Sequence, residues 1–459
     1  MKAASLLPFL AVGRVLAQNT NSDDDSDEQA ITESLSSLLG TVTTTIDDAT
    51  VPTGEYITYT TTSYLTSHGS VIDSTTFNVT TTSGSNTTTA NATTTSSSDT
   101  VTVLVGGQTT ISGNATNATQ TSSHTPSATP VVNTQPCNGW PEFCNRKYSN
   151  ITMVAAHNSP FVVQGNVASN QALDVQYQLD DGIRMLQFQV HNLNGTMQLC
   201  HTSCDMLNAG TLEDYLTTVA NWMREHPYDV VTILIGNYDY VDPGNFTAPI
   251  ENSGLMDLVF TPPAIPMGLD DWPTLGSIIL SGKRALVFMD YQANQTAYPW
   301  LMDEFSQIWE TPFSPTDRDF PCTAQRPPDL AQEAARERMY MANHNLNLEI
   351  NIASLSLLIP NTALLNETNA DTGFGSLGWM ADNCTTMWNR PPNFLLVDYY
   401  NEGSFNGSVF QVAADMNNVT YDRDSCCGTL SAAASLVPGA TMMSAMLLLV
   451  GYQILASAF

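Results

Sequence analysis

Lysine and arginine are the scarce residues of this chain. Its 459 residues hold 14 of them against 44 Asp and Glu, a formal net charge of −30 with a pI near 4.1. Lysine occurs at three positions, Lys2, Lys147 and Lys283. Residues 19–136 contain no Lys or Arg and 11 Asp or Glu, whereas residues 137–427 carry 12 basic and 33 acidic residues, a net of −21. A chain so poor in positive charge cannot neutralise a run of phosphates, which excludes nucleic acid as a partner. Hydrophobic residues at 42% and aromatic residues at 8% still leave material for a core. The length suggests roughly two or three domains.

Both ends read as addresses. Residues 1–18, MKAASLLPFLAVGRVLAQ, have an early Lys, an apolar stretch and a small-residue end, the pattern of a secretory signal. Met442–Phe459 is almost wholly apolar and follows the small residues from Gly428 to Ser435. That order fits a GPI-attachment signal over 426–459, with the attached residue near Gly428 or Ser431–Ala433. A single C-terminal membrane anchor is the alternative. The expected location is therefore outside the cell, on the plasma membrane or wall. Thirteen N-x-[ST] sequons and eight cysteines suit an oxidising, glycosylating route. Eight cysteines allow 105 pairings, so connectivity stays open. Zinc at Cys200-His201-x-x-Cys204 is a weaker reading than a disulfide, because no second CxxC accompanies it.

Residues 19–136 are dominated by Thr and Ser and read as a glycosylated stalk. Tyr56–Tyr64 and Thr100–Val105 alternate like strands there, but with too little apolar mass to assign. From Cys137 to about residue 425 the texture changes. Strands are expected at Ile151–Ala156, Arg184–Val190, Met197–Cys200, Val230–Ile235, Ala285–Met289, Arg338–Ala342 and Phe394–Val397, with helices at Gln171–Asp181 and Thr211–Glu225. Alternating β and α over roughly 290 residues predicts one α/β domain with a parallel sheet, sized for a (β/α)8 TIM-type barrel.

Polar residues recur where these strands end: His157-Asn158, Gln187, Gln189 and His191, His201, Asp290-Tyr291, Asn343-His344 and Asp398-Tyr399. In a barrel such ends meet on one face, where catalytic groups sit. Two histidines and a carboxylate facing one cavity suit general acid–base chemistry: one imidazole takes a proton, the other gives one, and the carboxylate fixes the tautomer.

Four segments in this order, Ala156-His157-Asn158-Ser159, Asp181-Gly182-Ile183-Arg184, Leu199-Cys200-His201-Thr202 and Leu396-Val397-Asp398-Tyr399, resemble the X domain of phosphatidylinositol-specific phospholipase C. More narrowly, the chain is similar to the secreted phospholipase-C-like phosphodiesterases of fungi and plants. The resemblance implies His157 as general base, His201 as general acid and Asp398 as the group that orients the base. It places Asn158 at a metal ligand of the calcium-dependent branch. Asn158, Gln187, Gln189, His191, Asp290, Tyr291, His344 and Tyr399 are then the expected substrate-binding set. The chain departs from the pattern where positive charge or calcium ligands should stand: Gln187 and Gln189, Leu234-Ile235-Gly236-Asn237, and Asp290 occupy those places. His191, Arg184 or Arg326 could supply the missing cation. The turn at Asn194-Gly195 would set His201 opposite Phe188, so His201 needs a bulge or a place beyond the ladder to face the site. No metal is expected, calcium least of all, with a His157/His191/His201 cluster as the remaining option. The implied reaction is cleavage of an inositol phospholipid or a related phosphodiester, such as a glycerophosphodiester or a sphingolipid head group. A non-catalytic barrel that binds a glycan or phospho-sugar is the alternative.

Overall fold

The computed structural model describes residues 56–59, 61–65, 134–352, 355–422 and 426–427. The expected signal, the GPI-attachment segment and Thr100–Val105 lie outside them. Eight parallel strands succeed one another: β1 Met153–Ala156, β2 Met185–Leu193, β3 Val231–Asn237, β4 Ala285–Met289, β5 Leu301–Asp303, β6 Ile308–Glu310, β7 Met339–His344 and β8 Phe394–Val397. From β1 to β5 successive strands pair in chain order, β1 with β2 through to β4 with β5, and likewise β6 with β7 and β7 with β8. The last strand then pairs with the first, Val397 opposite Ala156. This is the expected (β/α)8 order. It has one seam: no pairing joins β5 to β6 among the described residues, and the short helix Glu304–Gln307 lies between them.

The strand sequences explain the layering. Parallel strands covered on both faces are apolar on both sides, and successive residues face opposite ways. One parity joins an inner cluster that includes Met153, Ala155, Met185, Leu234, Phe288, Met302, Ile308, Met341 and Leu396. The other, with Val154, Phe188, Ile235, Val287, Trp309 and Leu395, joins the outer layer beneath the helices. Leu212–Glu225 shows how a helix joins that layer. Thr211 caps it through Asp214 N–H (3.0 Å), and Leu216, Val219 and Trp222 are buried on one face. Tyr148 and Trp272, with ring centroids 4.9 Å apart, fill the N-terminal end of the barrel, and the Tyr148 hydroxyl meets Thr232 Oγ1. Fully burying one such large apolar side chain contributes about 1.5–3 kcal/mol.

Ala285–Met289 and Phe394–Val397 keep their expected bounds, and the Arg338–Ala342 strand runs on to His344. The three-residue strands β5 and β6 were not foreseen. Neither was the hairpin of Asn347–Ile352 with Leu355–Pro360. The disulfides are Cys137–Cys144, Cys200–Cys204, Cys322–Cys384 and Cys426–Cys427, so Cys200 and Cys204 are bonded to each other rather than to a metal. No helix among the described residues is long and apolar enough to cross a membrane.

All eight barrel sequon asparagines, Asn150, Asn194, Asn245, Asn294, Asn366, Asn383, Asn406 and Asn418, are exposed. A buried sequon could not accept a glycan; these can. Enzymatic deglycosylation of protein secreted from a eukaryotic host is expected to remove N-glycan mass from most of the eight. Intact-mass spectrometry with glycopeptide mapping checks this.

Candidate active site

The inward parity of each strand, carried to its C-terminal end, defines a ring. It runs from His157 after β1 through Gln187 and Gln189 on β2, Gly236 on β3, Asp290 after β4, Glu304 after β5, Glu310 on β6, Asn343 on β7 and Asp398 after β8. Eight of these nine positions carry a carboxylate, amide or imidazole; Gly236 is the exception. At Gly236 no side chain enters. A Cβ there would lie 3.4 Å from Gln189 Cγ and 3.2 Å from the Phe188 carbonyl oxygen, so the bare backbone makes room for Gln189.

On the β8–β1 side, His157 Nδ1 lies 2.8 Å from Asp398 Oδ1. A carboxylate oxygen accepts, so Nδ1 carries the proton and Nε2 keeps the lone pair. Asn158 Nδ2 donates toward that Nε2 at 3.2 Å. Asn170 Nδ2 donates to the same Asp398 oxygen at 2.9 Å, and Gln171 Nε2 donates to the carbonyls of His157 (2.9 Å) and Val397 (3.0 Å), tying the two strand ends together. Gln187 Oε1 accepts the Asn158 backbone N–H at 2.9 Å, in a turn where Asn158 takes φ +48°. The Tyr399 hydroxyl donates to the Ser169 carbonyl at 2.6 Å, which holds the loop carrying Asn170.

His201 lies beyond the ladder. The hairpin pairs Val190 with Leu199 in the register expected from the Asn194-Gly195 turn, and the strand stops at Cys200. The Cys200–Cys204 bridge then closes a tight turn in which Thr202 takes φ +61°. His201 is buried edge-on to Phe161, with centroids 5.2 Å apart, and its Nδ1 has no partner among the described residues. Burial, and then the neighbouring His157, push its pKa down to about 4. His191 turns to the rim instead. Its Nδ1 is 3.4 Å from Asp239 Oδ1 and its ring lies 4.2 Å from Tyr238; burial outweighs Asp239 and lowers its pKa. Burial thus works against an imidazolium at His191, the cation suggested by its strand parity, while Asp239 favours one.

His344 is not part of the ring. It has the outward parity, is fully buried, and bonds the Thr368 carbonyl through Nε2 (2.8 Å) beside Phe320. Arg184 also packs structurally, on Asp229 (2.8 Å) and over Trp222. Among the described residues, His157, His191 and His201 do not form a metal-ligating group.

Arg326 fills the seam side of the ring. Its Nη1 meets Glu310 Oε2 at 2.9 Å and Oε1 at 3.1 Å, its Nη2 donates to the Tyr291 hydroxyl at 3.0 Å, and Asp290 Oδ2 lies 3.9 Å away. The guanidinium sits among the rings of Tyr291, Phe305 and Phe313. Burial alone would lower its pKa, but Glu310, Tyr291, Glu304 and Asp290 outweigh that and hold it charged. Burial pushes Asp290 up to about 6 even though Arg326 and two backbone N–H groups oppose the shift. Glu304 is raised well above the carboxylate range by burial and by Glu310. Asn170, Gln171, Glu304 and Glu310 escaped the sequence reading. Had β5 and β6 been recognised, parity would have pointed to the two glutamates; the Asn170-Gln171 pair left no periodic signal.

Fold and site together define a class: an α/β barrel with two imidazoles and an orienting carboxylate at its C-terminal mouth. Residues 143–417 match the family PI-PLC X 1, and the chain belongs to the PI-PLC X family. It is 67% identical over 328 residues to a protein of Arthroderma benhamiae named only as secreted and uncharacterized, covering 72% of this chain and 73% of that one. It is 42% identical over 280 residues to PI-PLC X domain-containing protein 1 of the same fungus, covering 60% of this chain and 89% of the relative. Among solved structures, the phosphatidylinositol-specific phospholipase C of Listeria monocytogenes aligns at 12% identity and a TM-score of 0.38, covering 61% of this chain and 96% of that one.

Proposed function

We propose that this protein cleaves a phosphodiester bearing a hydroxyl next to the phosphate, an inositol phospholipid or a related head group, by paired imidazole catalysis. The observation that carries the reading is the His157–Asp398 contact of 2.8 Å, which leaves the lone pair on Nε2, where Asn158 Nδ2 now donates at 3.2 Å, to act as the base. His157 takes the proton of the substrate hydroxyl, whose oxygen attacks phosphorus and forms a cyclic phosphodiester. His201 gives its proton to the leaving alcohol oxygen as the old P–O bond breaks. Membership of the PI-PLC X family supports the same chemistry.

The ring does not suit calcium. Where a hard cation needs anionic oxygens, the β1–β2 side offers the amides of Asn158, Gln187 and Gln189, and Gln187 Oε1 already accepts a backbone N–H. No step is therefore routed through a metal. Arg326 is the cation nearest to Asp290 and the seam, and it is the group available to oppose phosphate charge. The carboxylates around it favour the second reading, a barrel that binds a polyol or phospho-sugar without turnover. Secretion is part of the same proposal, supported by the eight paired cysteines and by the secreted relative. Attachment through a GPI anchor at 426–459 completes the proposal.

The test is release of inositol phosphate from phosphatidylinositol, GPI-linked protein and glycerophosphoinositol by the secreted ectodomain. Inertness toward all three, with inositol phosphate binding by calorimetry, would establish the binding reading instead. The pH profile has a definite sign. With the acid's pKa near 4, the protonated fraction of His201 grows about tenfold for each pH unit below 7, so the ratio of wild-type to His201→Gln kcat/KM, in which the contribution of the base cancels, is expected to rise toward acid pH. A ratio flat between pH 5 and 7 removes His201 from the acid role.

A further inference from the structure

The seam between β5 and β6 is covered by a segment from the Ser/Thr-rich stretch, outside the 143–417 family match. The Tyr56 ring lies 4.8 Å from Phe305 and 5.7 Å from Tyr291, edge-on to both. Its hydroxyl is 3.4 Å from the Tyr291 hydroxyl, which in turn accepts from Arg326 Nη2. Ile57 packs on the outer core, and the Tyr59 phenol is raised by burial and by the nearby Asp303. Ser63–Tyr64 pairs antiparallel with Ala264–Ile265, and the Leu65 N–H donates to the Pro263 carbonyl at 2.9 Å. Tyr56 and Ile57 also wall a cavity of about 420 Å³ opposite Asp242, Pro243, Gln292 and Asn294.

We propose that Tyr56 is a positioning residue of the catalytic mouth, holding Arg326 in place through Tyr291 and Phe305, so that the functional unit extends beyond the family domain to include residue 56. Two facts carry this. A barrel open between β5 and β6 exposes one side of the box around Arg326, and Tyr56 lies on the two rings of that box. The segment is also fixed independently, by the Ser63–Tyr64 ladder about 200 residues distant in sequence. A guanidinium among carboxylates has several competing directions to point, and ring packing removes that freedom. The consequence for turnover rests on the phosphodiesterase reading; the packing itself does not.

The experiment compares full-length secreted protein with its Tyr56→Phe and Tyr56→Ala variants. Hydrogen exchange over Leu301–Glu310 and calorimetric binding of myo-inositol 1-phosphate are followed together with turnover. Tyr56→Ala is expected to speed exchange in Leu301–Glu310 and to weaken binding and kcat/KM by about tenfold. Tyr56→Phe, which keeps the ring, is expected to restore both to within about twofold. Unchanged exchange in Tyr56→Ala overturns the proposal, and so does faster exchange with binding and turnover at wild-type levels. If the wild-type protein neither binds nor cleaves, the functional reading fails on its own, and the exchange comparison still decides whether Tyr56 seals the seam.

Discussion

Replacing His157 with alanine is expected to lower kcat for phosphodiester cleavage by about 10³-fold, within the range measured for loss of a positioned general base. The fold should survive. His157 stands at the mouth with 12% of its side chain exposed, and its partner Asp398 keeps the Asn170 bond at 2.9 Å. Asp398→Asn tests the same dyad differently. An amide can donate to Nδ1, which favours the tautomer with the proton on Nε2, so kcat should drop although the side-chain shape is unchanged. His344→Ala is the control. That imidazole is buried outside the ring beside Met380 and Thr368, so its loss should lower the melting temperature while leaving turnover per folded molecule near wild type. Initial rates of inositol phosphate release, normalised to folded protein by circular dichroism, separate the three. A His157→Ala variant with wild-type kcat would remove the base from the mechanism.

Arg326→Met is expected to destabilise the protein by about 3–5 kcal/mol, because it strands buried carboxylates without a counter-charge. Glu310 loses both of its guanidinium contacts, and Asp290 and Glu304 lose the nearest positive charge. The denaturant midpoint of the secreted protein measures this. Arg326→Met combined with Glu310→Gln should recover much of the loss, since the pair is then removed together. The pH sign is fixed by the raised carboxylates. Asp290, at about 6 in the folded protein against 3.8 unfolded, binds more protons folded than unfolded between these values. Its contribution to stability therefore increases as pH falls from about 6 to 3.8. With Arg326 gone the carboxylates gain more from protonation, so the deficit of Arg326→Met should shrink on acidification. A deficit that is constant with pH, or one below about 1 kcal/mol, would mean that the cluster is solvated and not the closed ion network described.

The long apolar strands were legible because parallel strands buried on both faces write themselves as runs such as Ala285–Met289 and Phe394–Val397. The ring members His157 and Asp398 were legible for the same reason, since each is the first polar residue after such a run. Even the awkward place of His201 followed from a two-residue turn, and the structure resolves it by ending the strand at Cys200. The seam was not legible. Leu301–Asp303 and Ile308–Glu310 are three residues each, too short for any period to emerge. The partners of Arg326 went unseen with them. His344 misled because the strand extends to include it: Asn343 and His344 both end β7, and the alternation sends one in and the other out. Tyr56–Tyr64 showed an alternation but no apolar mass, because the mass it packs against, Phe305 and Tyr291, is supplied by the barrel.

The docked strand changes what the Ser/Thr-rich stretch can do as a mechanical element. Leu65 and Cys137 are both fixed to the barrel, Leu65 through its N–H bond to the Pro263 carbonyl and Cys137 through its pairing with Trp140 and its bond to Cys144. The two ends of the 66–133 stretch are therefore anchored to one body, and tension applied to the barrel is not carried through the covalent chain between them. With no Lys or Arg from residue 15 to 145, trypsin has no site between these two anchors. A protease of other specificity that cut there would break the backbone and leave the Tyr56 segment joined to the barrel through contacts that include its strand pairing and its ring packing.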